Sequence, residues 1–180
     1  MADGVSDKTV SIFGSGEAAE SSAAYETARA AGRAVAQAGF VVANGGYGGT
    51  MEASARGAKE AGGETVGVTC RIWRSQPNRW IDRVIETADL SERVDRLVEL
   101  GTGGYVVLPG ATGTLVELAI VWEKLCKGMM VWRPLVCVGD FWRPLIDMMK
   151  GQRPRGAKYV AVAADAGELA RHLTGAEGVE

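Results

Sequence analysis

Short apolar runs recur along this chain, and several of them break into a glycine-rich turn followed by a segment with helical spacing. Thr9–Phe13 is closed by Gly14-Ser15-Gly16. Phe40–Ala43 runs into Asn44-Gly45-Gly46-Tyr47-Gly48-Gly49, and Tyr105–Leu108 runs into Pro109-Gly110. Thr65–Thr69, Leu135–Val138 and Tyr159–Ala163 read as further strands, with Val84–Thr87 as a small edge strand. Strands apolar on both faces and separated by helices belong to a parallel sheet covered on both sides. The expected fold is α/β: a doubly wound parallel sheet flanked by helices in three α/β/α layers. A closed eightfold barrel needs more strand–helix units than 180 residues hold here.

The helices follow from spacing and caps. Ser21 or Ser22 caps an alanine-rich helix running to about Ala38, which Gly39 stops. Others are expected over about 50–61, 90–100, 115–125, 142–149 and 166–173. The segment 70–80, with Pro77, reads as a loop. One domain over 9–174 is predicted, with flexible ends at 1–8 and 175–180.

Composition removes several function classes. Twenty Lys and Arg against 22 Asp and Glu give a formal charge of -2, which provides no broad attraction to nucleic acid or an anionic membrane. Arg71, Arg74, Arg79 and Arg83 read as a solvated loop. Cys70, Cys126 and Cys137 lack the spacing of a zinc cluster or a redox pair, so three reduced thiols are expected. His172 is the single histidine, and no metal site is predicted. Without a signal peptide pattern or a membrane-length apolar run, a cytoplasmic location is expected.

In a doubly wound sheet, ligands collect at the carboxyl ends of the strands, where the strand order switches. Gly14 and Ser15, then Gly45, Gly46, Gly48, Gly49 and Thr50, then Gly110, Ala111, Thr112, Gly113 and Thr114 all fall there and are candidate phosphate- or nucleotide-binding residues. Glycine lets the backbone approach an anion, and amides at a following helix start bind phosphate. The dinucleotide fingerprint is incomplete and the Gly-Lys-Ser/Thr phosphate loop is absent. Thr114 as N-cap would place Glu117 at the third helical position and close a capping box. The same placement faces the Glu117 carboxylate toward the ligand edge. Arg93 has two readings as well: a solvated residue beside the apolar stripe of 90–100, or a guanidinium arching over the cleft. Asp89 and Glu92 cap that helix, and Glu52 is a weaker acidic candidate.

Asn44-Gly45-Gly46-Tyr47-Gly48-Gly49-Thr50-Met51, Pro109-Gly110-Ala111-Thr112-Gly113-Thr114-Leu115-Val116-Glu117 and Glu92-Arg93-Val94 together resemble a known family. It is the Rossmann-like nucleotide-binding group once called lysine decarboxylase-like, which includes the cytokinin-activating phosphoribohydrolases called LOG proteins. The chain is also similar to the molybdenum cofactor carrier proteins. The likeness spans about residues 9–173. Ala111 and Asn44 stand where the family pattern has glycine, and Val94 where it has lysine. The resemblance implies a phosphate cradle from 45–50 and 110–114, with Arg93 and Glu117 as catalytic residues flanking a glycosidic bond.

Two functions follow as expectations. The first is hydrolysis of the N-glycosidic bond of a nucleoside 5′-monophosphate, with no cofactor required. The second is a non-catalytic carrier with a bound nucleotide or molybdopterin-type ligand. A purely structural module is the third. Lysine decarboxylation lacks a convincing Schiff-base lysine. Family likeness favours a homodimer or larger homo-oligomer, and Trp122 and Trp132 around Met129-Met130 suit a subunit contact.

Overall fold

The computed structural model describes residues 8–175, so the predicted flexible ends lie almost wholly outside it. Within these residues, seven strands form one sheet: β1 (Thr9–Phe13), β2 (Val41–Asn44), β3 (Thr65–Cys70), β4 (Arg83–Thr87), β5 (Gly104–Val107), β6 (Leu135–Val138) and β7 (Ala161–Ala163). Their order is β4-β3-β2-β1-β5-β6-β7, and every pairing is parallel. β1 is the pivot: Val10 pairs with Val42 of β2 on one side, and Ile12 with Val106 of β5 on the other. The order switches between β1 and β5, as expected of a Rossmann-like, doubly wound three-layer fold.

Among the described residues, six helices cover the sheet: α1 (Ala23–Gln37), α2 (Thr50–Glu60), α3 (Leu90–Leu100), α4 (Thr112–Cys126), α5 (Arg143–Gln152) and α6 (Ala166–Thr174). Strand side chains alternate between two cores. On one face Val10, Ile12, Val42 and Val106 meet Tyr25, Ala28 and Val35 of α1, Ala53 of α2 and Leu169 of α6. On the other, Phe13, Val68, Tyr105 and Val107 meet Val94 and Leu97 of α3, Leu118 and Trp122 of α4, and Ile146 of α5. Burial on both faces is why the central strands β1, β2, β5 and β6 carry no exposed residue.

The caps follow the sequence closely. Ser22 accepts from the Tyr25 amide, Asp89 from the Glu92 amide and Asp165 from the Glu168 amide. The Glu92 carboxylate accepts in turn from Ala88, at 2.6 Å. Several boundaries shift from expectation, two of them with consequences. Residues 154–159 form a short 3-10 turn, so β7 starts at Ala161. α4 begins at Thr112, two residues before the predicted cap. Thr114 is therefore inside the first turn, and Glu117 lies one turn in rather than at the third helical position.

Trp122, read from sequence as suiting a subunit contact, packs into the core of its own chain. It is buried, and its indole N–H donates to Gly156 O at 2.8 Å. Cys70 and Cys137 are buried, Cys126 is half-buried, and all three are free. Among the described residues, no helix is long and apolar enough to cross a membrane.

Candidate functional site

β2, β1 and β5 lie side by side, so the turns that follow them share one edge. The β1 turn and the start of α2 are fastened together. Thr50 donates to Ser15 O both from its amide, at 2.8 Å, and from its hydroxyl, at 3.0 Å. Gly49 sits beneath this junction with φ 65°, where a Cβ would stand 2.3 Å from Ser15 O. Glycine is required there twice over, by conformation and by space. Thr50, a candidate phosphate- or nucleotide-binding residue from sequence, here joins two turns through its amide and hydroxyl. Gly14 leaves the room this needs, since a Cβ on it would meet the Thr50 hydroxyl.

Asn44 also has a defined task. Its carboxamide oxygen accepts from the Gly46 amide at 2.8 Å, and its Nδ2 donates to Met51 O and Ser54 Oγ at 2.8 and 3.0 Å. An asparagine in place of glycine therefore braces the turn against α2. Gly46 shapes the turn, and its amide is occupied. The amides of Gly48 and Gly49 find no acceptor among the described residues. The second cradle is more open. α4 has Ala111 at its N-cap with no side-chain hydrogen bond, and its first helical bond runs from Leu115 N–H to Ala111 O. The amides of Thr112, Gly113 and Thr114 consequently have no partner within the helical ladder. Ala111, Thr112 and Gly113 are exposed, Gly110 is half-buried and Thr114 is buried.

Arg93 settles its two sequence readings by being buried, with 6% of its surface exposed. Its Nε donates to Val68 O at 2.8 Å and an Nη to Gly45 O at 3.0 Å. Its Cζ lies 5.6 Å from the Tyr47 ring centroid and 4.9 Å from that of Trp73. Gly45 makes this possible, because a Cβ there would fall 1.9 Å from the same Nη. Glu117 reaches in from α4, also 6% exposed, with its carboxylate 3.9 Å from Arg93. Sequence placed the two residues 24 positions apart on separate helices; the fold brings them face to face.

The carboxylate accepts no hydrogen bond among the described residues, so burial dominates and pushes its pKa up to about 7, with the nearby Arg93 charge opposing the rise. Burial likewise lowers the Arg93 pKa from its usual value, with Glu117 opposing. Near neutral pH, Glu117 is thus poised to hold or release a proton beside a fixed cation. Such tuning is common at functional sites.

Reading the sequence missed three contributors, all tied to the β3–β4 connection. Asn78 donates to Gly46 O and Tyr47 O, strapping that connection onto the glycine turn. The Tyr47 hydroxyl donates to Cys70 O and accepts from Cys70 N–H, at 3.2 and 2.8 Å. Trp73 follows directly in the single-turn helix Arg71–Trp73. Two tryptophans around a proline in a polar loop were the available signal. Concavities of about 620 Å³ between α1 and α6, and of about 300 Å³ between α4 and α5, lie off this edge. Free amides and buried charges, rather than cavity size, mark it out. No group of three or more His, Cys, Asp or Glu is placed to hold a metal ion among the described residues.

Sheet order, glycine turns and the switch-point edge define a Rossmann-like, doubly wound α/β protein. More narrowly, the chain belongs to the SLOG cluster4 family, whose model matches residues 7–142. An uncharacterized protein of Archaeoglobus fulgidus is 32% identical over 130 residues, 72% of this chain and 83% of that one. A cytokinin riboside 5′-monophosphate phosphoribohydrolase of Mycobacterium marinum is 35% identical over 107 residues, which is 58% of this chain and 57% of that enzyme. The match thus spans little more than half of that relative. Among solved structures, a molybdenum cofactor carrier protein from Chlamydomonas reinhardtii superposes with a TM-score of 0.75, covering 93% of this chain and 96% of that one. At 24% identity, that likeness is one of fold.

Proposed function

We propose that this protein binds a phosphorylated, nucleotide-like molecule, seating its phosphate on the amides of Gly48 and Gly49 and on those opening α4, and holds it as a binding or carrier protein. One observation carries the reading. α1, α3 and α6 are closed by Ser22, Asp89 and Asp165, whereas α2, α4 and α5 have no side-chain cap, and of these α2 and α4 follow the two glycine turns. Unclosed helix starts offer free N–H groups and the positive end of the helix dipole to an anion. Kinship with a nucleotide hydrolase and a fold shared with a cofactor carrier support the nucleotide-like body of the ligand.

The Arg93–Glu117 pair favours a second reading, hydrolysis of a nucleoside 5′-monophosphate. Water would add to the anomeric carbon and lose one proton to solvent, while the C–N bond pair leaves with the base. Protonated Glu117 would supply the proton the departing base takes up, or ionised Glu117 would stabilise the cationic sugar. Arg93 would orient sugar oxygens and offset charge. The products would be free base and ribose 5-phosphate.

Calorimetric titration with AMP, ribose 5-phosphate and adenosine tests the binding, and chromatography of the AMP mixture tests the chemistry. Both phosphorylated compounds should bind, with adenosine at least about tenfold weaker. Equal binding of adenosine would sink the phosphate cradle. Release of adenine, abolished by Glu117→Gln, would select the hydrolase over the carrier. Self-association is part of the proposal, through exposed Leu115 and Val116 on α4 and Met148 on α5.

A further inference from the structure

We propose that Trp73 is the wall against which the flat heterocycle of the ligand stacks, so that the β3–β4 connection, rather than either glycine motif, selects base-bearing phosphates over base-free ones. The inference rests on the phosphate reading above and adds the part of the ligand that the cradle does not touch.

Trp73 is placed by a chain of contacts that begins in the glycine turn. Asn78 bonds the connection to Gly46 and Tyr47, and Tyr47 is locked at its hydroxyl to both backbone groups of Cys70. With both ends fixed, the single turn Arg71–Trp73 projects its indole beside the Tyr47 ring, with centroids 5.7 Å apart and a 59° tilt. The indole also meets the Arg93 guanidinium, 4.9 Å from its centroid. Arg74 ends the turn at φ 48°, in the left-handed region that a side chain rarely adopts. Such a residue persists where its surroundings hold it, and these positions cluster at functional sites.

The ring nevertheless keeps 44% of its surface open. Trp122 and Trp142 behave differently, being buried with their indole N–H groups donating to Gly156 O and Leu108 O. A large aromatic surface held in place beside a buried Arg–Glu pair, yet only half covered, suits a flat π system as its partner. Fused bicyclic heterocycles offer the area to use it, and stacking on an aromatic side chain tolerates variation at the edge of the base.

Trp73→Leu and Trp73→Phe, titrated with AMP and with ribose 5-phosphate, read the inference directly. Trp73→Leu should weaken AMP about tenfold or more while ribose 5-phosphate stays within about twofold, and Trp73→Phe should retain most of the AMP affinity. Equal loss for both ligands in Trp73→Leu would mean that the indole merely supports Arg93, and no loss for either would mean that it does nothing; each overturns the proposal. Failure of the wild type to bind either phosphorylated compound is a separate outcome. It would remove the underlying phosphate reading, and the stacking wall with it.

Discussion

Replacing Glu117 by Gln should abolish a specific pH dependence of folding stability. Burial raises the carboxyl from its ordinary 4.5 to about 7, so the folded chain holds this proton more tightly than the unfolded chain does. The stabilisation is complete below pH 4.5, declines as the unfolded chain begins to ionise, and is gone once pH passes about 7. At about 1.4 kcal/mol for each pH unit between the two values, the total is on the order of 3 kcal/mol, of which about 2 to 3 falls between pH 5 and 8. Glutamine preserves the shape of the protonated acid and cannot ionise. Urea unfolding of both proteins across that range measures the term as a difference, in which the other titrating groups cancel. The variant should gain on the wild type by about 2 kcal/mol or more as pH rises from 5 to 8. A difference that stays flat with pH would mean that Glu117 titrates as an ordinary exposed carboxylate, and the buried-acid account of the site would fail.

Gly45→Ala should cost about 1 to 3 kcal/mol, seen as a lowered Tm, because its Cβ would force Arg93 away from Gly45 O. Loss of phosphate-ligand affinity should accompany it. Glu60 behaves in the opposite sense to Glu117. Hydrogen bonds from Arg29, Arg33 and Arg56 hold its pKa down at about 2, so its contribution exists above pH 4.5 and fades as pH falls toward 2. Glu60→Gln should lower Tm at pH 7, and the gap from wild type should narrow as pH falls below 4.5 and close only below about pH 2. A gap of constant size would contradict the network.

Much of the architecture was legible without coordinates. Leu135–Val138 is a strand because four apolar residues in a row suit a site buried on both faces, and the structure has that strand with the same ends. Ser22, Asp89 and Glu92 announced their caps because capping is local: each partner lies within four residues. The glycine turns were legible for the same reason. Thr114 misled because a threonine three residues before a glutamate imitates a capping box, while α4 in fact starts at Thr112 over an uncapped Ala111.

Sequence by itself determined the elements, their order and the positions of glycine at the sheet edge, since these depend on neighbours along the chain. Tertiary structure alone decided what the edge can do. It turned Thr50 inward to Ser15, gave Asn44 its bracing role and buried Arg93 between two carbonyls. It also set Glu117 opposite that cation and swung Trp73 over it. Apart from the Asn44 brace, which spans 7 to 10 positions, such contacts join residues about 20 to 50 positions apart, and the field that raises a carboxyl pKa is a property of the packed interior rather than of any stretch of chain.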